Sequence, residues 1–437
     1  MNVGVQWEGN GMHTIAKKRL WWLVAALLAL LLAAREGRAS ATVLFRYRTE
    51  HYEVRTDISP LWAEVVGRHM EEIYGEYSRR FASYGSATEE FDVYVFRTRK
   101  GYASKVPSVV AGSNGVFVGG PDYLAAHAED RTPEEVLRTL YHEGLHQFVY
   151  EVVSEDCPVW INEGLAEYFA EATWNGSGFQ LGQVPSAGIY AVQDAIKRGS
   201  YIRFRALFAM TPESWIEAMR RRPDRAGLAY PQVWSIVHFL LHGGGGRFAG
   251  STDQFLRLIA HERDQEEALE TAFGPNLSLK AFEKAWADHV MSLKPGPKFH
   301  CRANMEGLMT LAKGLNPRRL NMLRTVDELR EVVLASEGWR LPLRDRRSVR
   351  PDDREAVEGL FRCPFDRSSG EASYLIVTDP SSHLPVLVCT HHPGIIIKAY
   401  YERDSDGELE VKVEEEVRSL LKPEFRDAIS AKVRGSQ

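Results

Sequence analysis

The sequence predicts an α+β fold in which a small antiparallel or mixed sheet precedes a helical lobe and a smaller α+β unit closes the chain. Three observations predict it. Between residues 43 and 118, short apolar runs of period two surround one long stretch of helical periodicity. From residue 132 to 292 the apolar spacing is largely helical, and beyond Lys294-Pro295-Gly296-Pro297 the texture returns to short strands and hairpins. The 437 residues are 44% hydrophobic and 26% charged, which suits two or three globular domains and excludes a disordered or coiled-coil chain. Lys plus Arg is 54 against 59 for Asp plus Glu, a net charge of -5, so nothing draws the chain as a whole to phosphate and no nucleic-acid partner is expected.

At the amino terminus, Lys17-Lys18-Arg19 precede the unbroken apolar run Leu20 to Ala34, and Ala39-Ser40-Ala41 supply small residues of the kind a signal peptidase cleaves after. The run has 15 residues, short of the roughly 20 that a spanning helix needs. Arg35 and Glu36 follow it directly, so residues 1–41 read either as a cleaved signal peptide or as an uncleaved signal anchor with residues 20–34 as a membrane tether. Both readings place the remainder outside the cytoplasm, periplasmic or extracellular, or anchored facing outward.

Residues 43–57 read as extended chain, ending in the alternating His51-Tyr52-Glu53-Val54-Arg55. Leu61, Val65, Met70, Ile73, Tyr77 and Phe81 mark a long amphipathic helix over 60–83. Phe91 to Phe96 alternates into a second strand, and the glycine-bracketed segment 115–119 makes a third, expected at a sheet edge. Thr132-Pro133-Glu134-Glu135 carries two helix-start signals, a capping box and a proline at the first helical position. That helix should run to about Val153, and after a break at Ser154 to Cys157 a second opens at Pro158. Further helices are expected at 212–221, 231–242, 252–262 and 278–292. We divide the chain into 43–296 and 300–437, the latter beginning with two short helices and continuing with strands at 373–378, 386–390 and 394–402 and a hairpin at Asp406-Gly407.

The first of these paired helices contains His142-Glu143-Gly144-Leu145-His146. Residues four apart on a helix project from one face, about 5–6 Å apart, so both imidazoles can reach one metal ion. Nitrogen and carboxylate ligands in an open tetrahedral set favour zinc. Glu143 stands beside the pair, where it can take a proton from water. The next helix, Val159-Trp160-Ile161-Asn162-Glu163-Gly164-Leu165-Ala166-Glu167-Tyr168, can fold back antiparallel, bringing Glu163 to the histidines as third ligand. Gly164 is expected to let these two helices approach closely, and Glu167, one turn on, to accept the second N–H of a ligand histidine.

The paired motifs His142-Glu143-Gly144-Leu145-His146 and Asn162-Glu163-Gly164-Leu165-Ala166-Glu167-Tyr168 resemble those of the gluzincin zinc metallopeptidases, specifically the thermolysin-like and aminopeptidase branch, over roughly residues 45–290. The resemblance implies a zincin-like catalytic lobe in which His142, His146 and Glu163 bind zinc and Glu143 is the general base. Members of such families often carry an oxyanion-binding tyrosine on a later helix, for which Tyr230 is the candidate. It further implies peptide or protein substrates, hydrolysis of a peptide bond, and pairing of the extended substrate with the 115–119 edge. Two departures weigh against aminopeptidase activity. Sixteen residues separate His146 from Glu163, fewer than in the aminopeptidase pattern, and Ala111 to Val118 lacks both the exopeptidase Gly-x-Met-x-Asn signature and any acidic residue to hold a substrate amino group. The expected activity is therefore that of a metalloendopeptidase, with a non-catalytic zinc- or protein-binding module of the same fold as the alternative.

Other constellations are read as structural. His238 and His242 share helical spacing but lack a neighbouring glutamate, so they are expected to be a packed or surface pair. Cys363 and Cys389-Thr390-His391-His392 allow either a second small metal site or, in an exported chain, a Cys363–Cys389 bridge between neighbouring strands. Cys157, with no paired base, is not expected to be a nucleophile, and residues 300–437 are expected to serve an accessory role.

Overall fold

The computed structural model describes residues 44–420, apart from 86–89, 121, 176, 222, 275–277, 316, 365–373 and 393, together with Asp427 and Ile429. The amino-terminal segment 1–41, including the apolar run 20–34, lies outside the described residues. Among the described residues no helix is long and apolar enough to cross a membrane.

The architecture is α+β. In chain order the first unit comprises β1 (Phe45–Arg48), β2 (Tyr52–Thr56), α1 (Pro60–Arg80), β3 (Phe91–Phe96), α2 (Arg99–Lys105), β4 (Gly115–Val118), β5 (Tyr123–His127), α3 (Pro133–Phe148) and α4 (Val159–Ala170). A two-residue hairpin, β6 (Thr173–Trp174) with β7 (Phe179–Gln180), leads to α5 (Ser186–Arg198), α6 (Phe204–Phe208), α7 (Pro212–Arg221), α8 (Pro223–Gly246), α9 (Ala249–Ala260), α10 (Gln265–Phe273) and α11 (Leu279–Ser292). The five-stranded sheet has the order β1-β2-β3-β5-β4. Its centre is parallel, β2 with β3 and β3 with β5, and antiparallel partners flank it, β1 on one side and β4 on the other. β4 therefore forms an edge beside α3, as expected for 115–119. β5 was not foreseen: Tyr-Leu-Ala-Ala-His has no alternation because all five residues are buried, and its alanines carry little strand preference.

Local chemistry sets where α3 begins and how it ends. Thr132 Oγ1 accepts from the Glu135 N–H at 3.3 Å while Glu135 Oε2 accepts from the Thr132 N–H at 2.9 Å, which completes the capping box. The α-helix stops at Phe148 and continues as a π-helical turn over Val149–Val153, so the segment expected as uninterrupted helix to Val153 changes its winding directly after the second histidine. α8 begins at Pro223, eight residues before the expected start, and passes through Pro231, which removes one helical hydrogen bond without ending the helix. Non-helical backbone at Gly243, Gly244 and Gly245 ends it where the glycine run was expected to.

The remaining elements are α12 (Pro297–Leu315), α13 (Val326–Ala335), β8 (Leu341–Pro342), β9 (Ser348–Val349), α14 (Arg354–Leu360), β10 (Leu375–Thr378), β11 (Pro385–Cys389), β12 (Ile395–Arg403) and β13 (Leu409–Val417). β10 to β13 form an antiparallel meander. Where two short helices were expected, α12 alone runs 19 residues. Buried side chains gather into one large cluster running from Tyr52 to Val290 and joined by Val417 of β13, a second running from Cys301 to Tyr401, and two smaller ones. The two larger ones meet at the start of α3: Lys298 Nζ lies 2.7 Å from Glu134 Oε1 and 2.9 Å from Glu415 Oε2, and Arg302 also pairs with Glu415.

Candidate metal centre

Three neighbours fix the position of α3. The Tyr77 hydroxyl on α1 donates to the Tyr141 carbonyl at 2.6 Å. A Cβ on Gly144 would stand 2.8 Å from Met70 Cε and 3.3 Å from the Tyr77 hydroxyl, so glycine at the centre of the motif lets α3 rest on α1 without displacing the tip of Met70. A Cβ on Gly115 would meet Thr139 Cγ2 at 2.4 Å, so glycine also lets the β4 edge lie against the helix.

On the flank of α3 that faces α4, His142 and His146 direct their Nε2 atoms to one point, 3.0 Å apart, and α4 brings Glu163 Oε2 to 3.5 Å from His142 Nε2 and 3.7 Å from His146 Nε2. A point equidistant from three atoms with these separations lies about 2.0 Å from each, which matches zinc–nitrogen and zinc–carboxylate bond lengths of about 2.0–2.2 Å. Glu163 Oε2 is buried and has no hydrogen-bond partner. An orphaned buried carboxylate oxygen facing two imidazole nitrogens is a donor set able to hold a cation, and these residues fit zinc.

The ring tautomers point the same way. His142 Nδ1 lies 3.2 Å from Glu167 Oε1, and His146 Nδ1 lies 3.0 Å from Asn162 Oδ1. Each acceptor draws the proton to Nδ1 and leaves the Nε2 lone pair facing the gap. Two such lone pairs 3.0 Å apart repel unless a positive charge, a proton or a metal, lies between them. In the metal-free chain that charge is a proton. Burial pushes the Glu163 carboxyl up, but the facing His142 and His146 imidazoles outweigh it and hold the group down at about 2. Burial likewise opposes charge on His142, yet Glu163 and Glu167 raise its pKa well above the ordinary histidine value. Glu167 also faces Arg138 at 3.5 Å, and Arg138 pairs in turn with Glu171.

Glu143 occupies the side of the gap towards the sheet. Its Oε2 accepts the Phe117 N–H of β4 at 2.8 Å, so the expected base and the expected peptide-binding edge are in direct contact. Tyr230, on α8, sets its ring 6.3 Å from that of His142, and its hydroxyl accepts from Trp215 Nε1 at 3.4 Å. Burial and the nearby Glu163 push its phenol upward, so it is a protonated donor.

The structure thus gathers His142, Glu143, His146, Glu163, Glu167 and Tyr230 around one gap. One expectation requires correction. Gly164 does permit a close helix contact, but with α8 and not with α3: a Cβ there would stand 2.7 Å from the Val233 carbonyl oxygen and 2.6 Å from Val237 Cγ2. Two participants were missed, Asn162 and the Phe117 N–H. Helical geometry offered a signal for Asn162, because consecutive residues diverge by about 100° and the neighbour of a ligand can reach a different atom of the same cluster.

The other constellations resolve differently. His238 is buried with its ring tilted against Trp234 and its Nδ1 3.0 Å from His289 Nε2, and His242 Nε2 meets the Tyr168 hydroxyl at 2.8 Å, so of the two structural readings this pair takes the packed one. Burial pushes the Cys157 thiol up to about 12. The Cys363 and Cys389 sulfurs stand 3.2 Å apart, beyond bonding distance, and Cys363 sits in the segment after α14, not on a strand.

A family model described as a protein of unknown function (DUF1570) matches residues 136–257, a stretch containing every residue named around the gap except Phe117. No curated protein matches the chain.

Proposed function

We propose that this chain is a zinc-dependent peptidase of gluzincin type, exported or membrane-tethered through its amino-terminal segment, that cleaves peptide bonds as an endopeptidase. The observation that carries this reading is the triangle of His142 Nε2, His146 Nε2 and Glu163 Oε2, whose common centre lies at zinc-binding distance, with Glu143 beside it on the edge strand.

Zinc held there supplies a Lewis acid that lowers the pKa of water from about 15.7 towards 7 and polarises a carbonyl. The chain's own residues do the rest. Glu143 takes the proton of the attacking water and passes it to the leaving amine. The Tyr230 hydroxyl, kept protonated by burial, donates to the developing oxyanion. β4 presents its outer edge to an extended peptide, and the Phe117 N–H that holds Glu143 in the free protein lies on that edge. Glu167 and Asn162 keep both imidazoles in the binding tautomer. The absence of an acidic residue from Ala111 to Val118 favours internal bonds over amino-terminal ones.

The test is hydrolysis of a mixed peptide library by the purified chain with and without chelator, together with Glu143→Gln. Zinc retained with a loss of about 10²–10⁴ in rate is expected. Full activity of Glu143→Gln with zinc bound would refute the base assignment, and zinc binding with no cleavage of any peptide would favour the non-catalytic module.

A further inference from the structure

The second unit contains three of the four cysteines of the chain, and folding brings all three together from distant positions. Cys301 lies on α12, Cys363 follows α14, and Cys389 is the last residue of β11. The Cys389 thiol donates to the Cys363 sulfur at 3.2 Å, the Cys363 thiol to Cys301 at 3.5 Å, and all three sulfurs lie within 4.8 Å of one another. They sit inside the second core at 0%, 2% and 0% exposure. In a tetrahedral site with zinc–sulfur bonds of about 2.3 Å the ligand sulfurs stand about 3.8 Å apart. The two short separations reach that value if the sulfurs spread by roughly half an ångström, a rotamer-scale adjustment.

The surroundings hold this cluster in place. Asn304 follows Cys301 by one turn on the same face of α12 and is itself 2% exposed. Its Nδ2 donates to the carbonyls of Gly359 at 3.1 Å and Arg362 at 3.2 Å, and the Tyr374 hydroxyl donates to the same Arg362 carbonyl at 3.1 Å. The residue before Cys363 is therefore pinned to the helix that carries Cys301. Cys363 borders a cleft lined also by His300, Asn304, Arg347 and Arg362. Arg347 in that cleft is bound to Asn304 Oδ1 at 2.6 Å and to Asp345.

We infer that Cys301, Cys363 and Cys389 form a second metal centre that binds a thiophilic divalent cation, with zinc as the probe, and staples α12, the segment after α14 and β11 to one another. Binding releases the three thiol protons to solvent, and water from the cleft fills the fourth position. A Cys363–Cys389 disulfide accounts for only two of the three clustered sulfurs. The centre shares no ligand with His142, His146 and Glu163, so it stands or falls separately from the proposed peptidase site.

The test is metal analysis of the full chain purified without chelator. About two zinc per chain are expected, falling to about one in Cys301→Ser and to about one in a His142→Ala/His146→Ala variant. Because Cys301→Ser can lose metal by failing to fold, cobalt is also exchanged into the unaltered chain. A sulfur-to-cobalt charge-transfer band is expected there and in the His142→Ala/His146→Ala variant. Absence of that band, or a Cys363–Cys389 cross-link recovered by peptide mapping of alkylated protein with only one zinc bound, overturns the inference.

Discussion

Gly164→Ala isolates the contact that positions the third candidate ligand. The added Cβ would stand 2.7 Å from the Val233 carbonyl oxygen and 2.6 Å from Val237 Cγ2. The carbonyl belongs to the middle of α8, and both valines are fully buried, so neither neighbour can swing aside. Restoring an ordinary contact of about 3.4 Å forces α4 and α8 roughly 0.7 Å apart in a close-packed core. Overpacking of this kind costs about 2–3 kcal/mol, and the better helix propensity of alanine returns about 1 kcal/mol, leaving a net loss of about 1–2 kcal/mol. Gly75→Ala supplies the control. Gly75 is an exposed residue of α1 with nothing within 4 Å of its notional Cβ, so the same propensity gain appears there without a clash, as a stabilisation of up to about 1 kcal/mol. Chemical denaturation of both variants measures the difference directly. Because α4 carries Glu163 and α8 carries Tyr230, Gly164→Ala should also lower turnover of any peptide substrate, whereas Gly75→Ala should not. If Gly164→Ala stabilises the protein as Gly75→Ala does, the close α4–α8 approach does not exist in solution and the positioning of Glu163 argued from it is wrong.

Four further outcomes are expected. Asn162→Ala should weaken zinc binding about 10- to 100-fold, read by competition with a chromogenic chelator, because His146 loses the acceptor that fixes its tautomer. Zinc affinity should keep rising with pH beyond 6.5, about tenfold per unit, since the raised His142 pKa means that zinc must displace a proton there. In the metal-free chain the signs follow from the same two groups. The raised His142 contributes stability present below 6.5 and lost as pH rises through its folded value, whereas the depressed Glu163 contributes stability present above 4.5 and lost as pH falls towards 2. Thermal melts of the chelated protein should therefore be highest, as far as this pair contributes, between 4.5 and 6.5, and a melting profile without that window would contradict the assigned pairing. Finally, Lys298→Met removes the cation between Glu134 and Glu415. It should cost about 1–2 kcal/mol in denaturation, below the usual figure for breaking a buried pair, because Lys298 and Glu134 are 30% and 28% exposed and Arg302 still faces the buried Glu415.

What could be read from the sequence was whatever is governed by a few neighbouring residues. The four-residue spacing of His142 and His146 puts two imidazoles on one helical face whatever surrounds the helix, and Thr132 with Glu135 caps that helix by contacts three residues apart. The last hairpin of the meander announced itself through the Asp406-Gly407 turn and the alternation from Glu408 to Glu414. Legibility failed where burial on all sides erased the pattern, as in β5, and where proline stopped being a reliable boundary, as at Pro231 within α8. It failed again where the winding of a helix changed, as at Val149–Val153.

The sequence by itself determined the composition of the candidate centre: which residues can ligate, which can act as base, and that two helices carry them. Only the tertiary structure decided the distances. That Glu163 Oε2 falls where a cation would be equidistant from three donors depends on the close seating of α4 against α8 through Gly164 and of α3 against α1 through Gly144. The meeting of Cys301, Cys363 and Cys389, the Lys298 bridge between the two units, and the contact of Glu143 with the Phe117 N–H belong to the same class. Each joins residues far apart in the chain, and the closing of such a contact is governed by how whole elements pack, a quantity that local spacing and propensity do not carry.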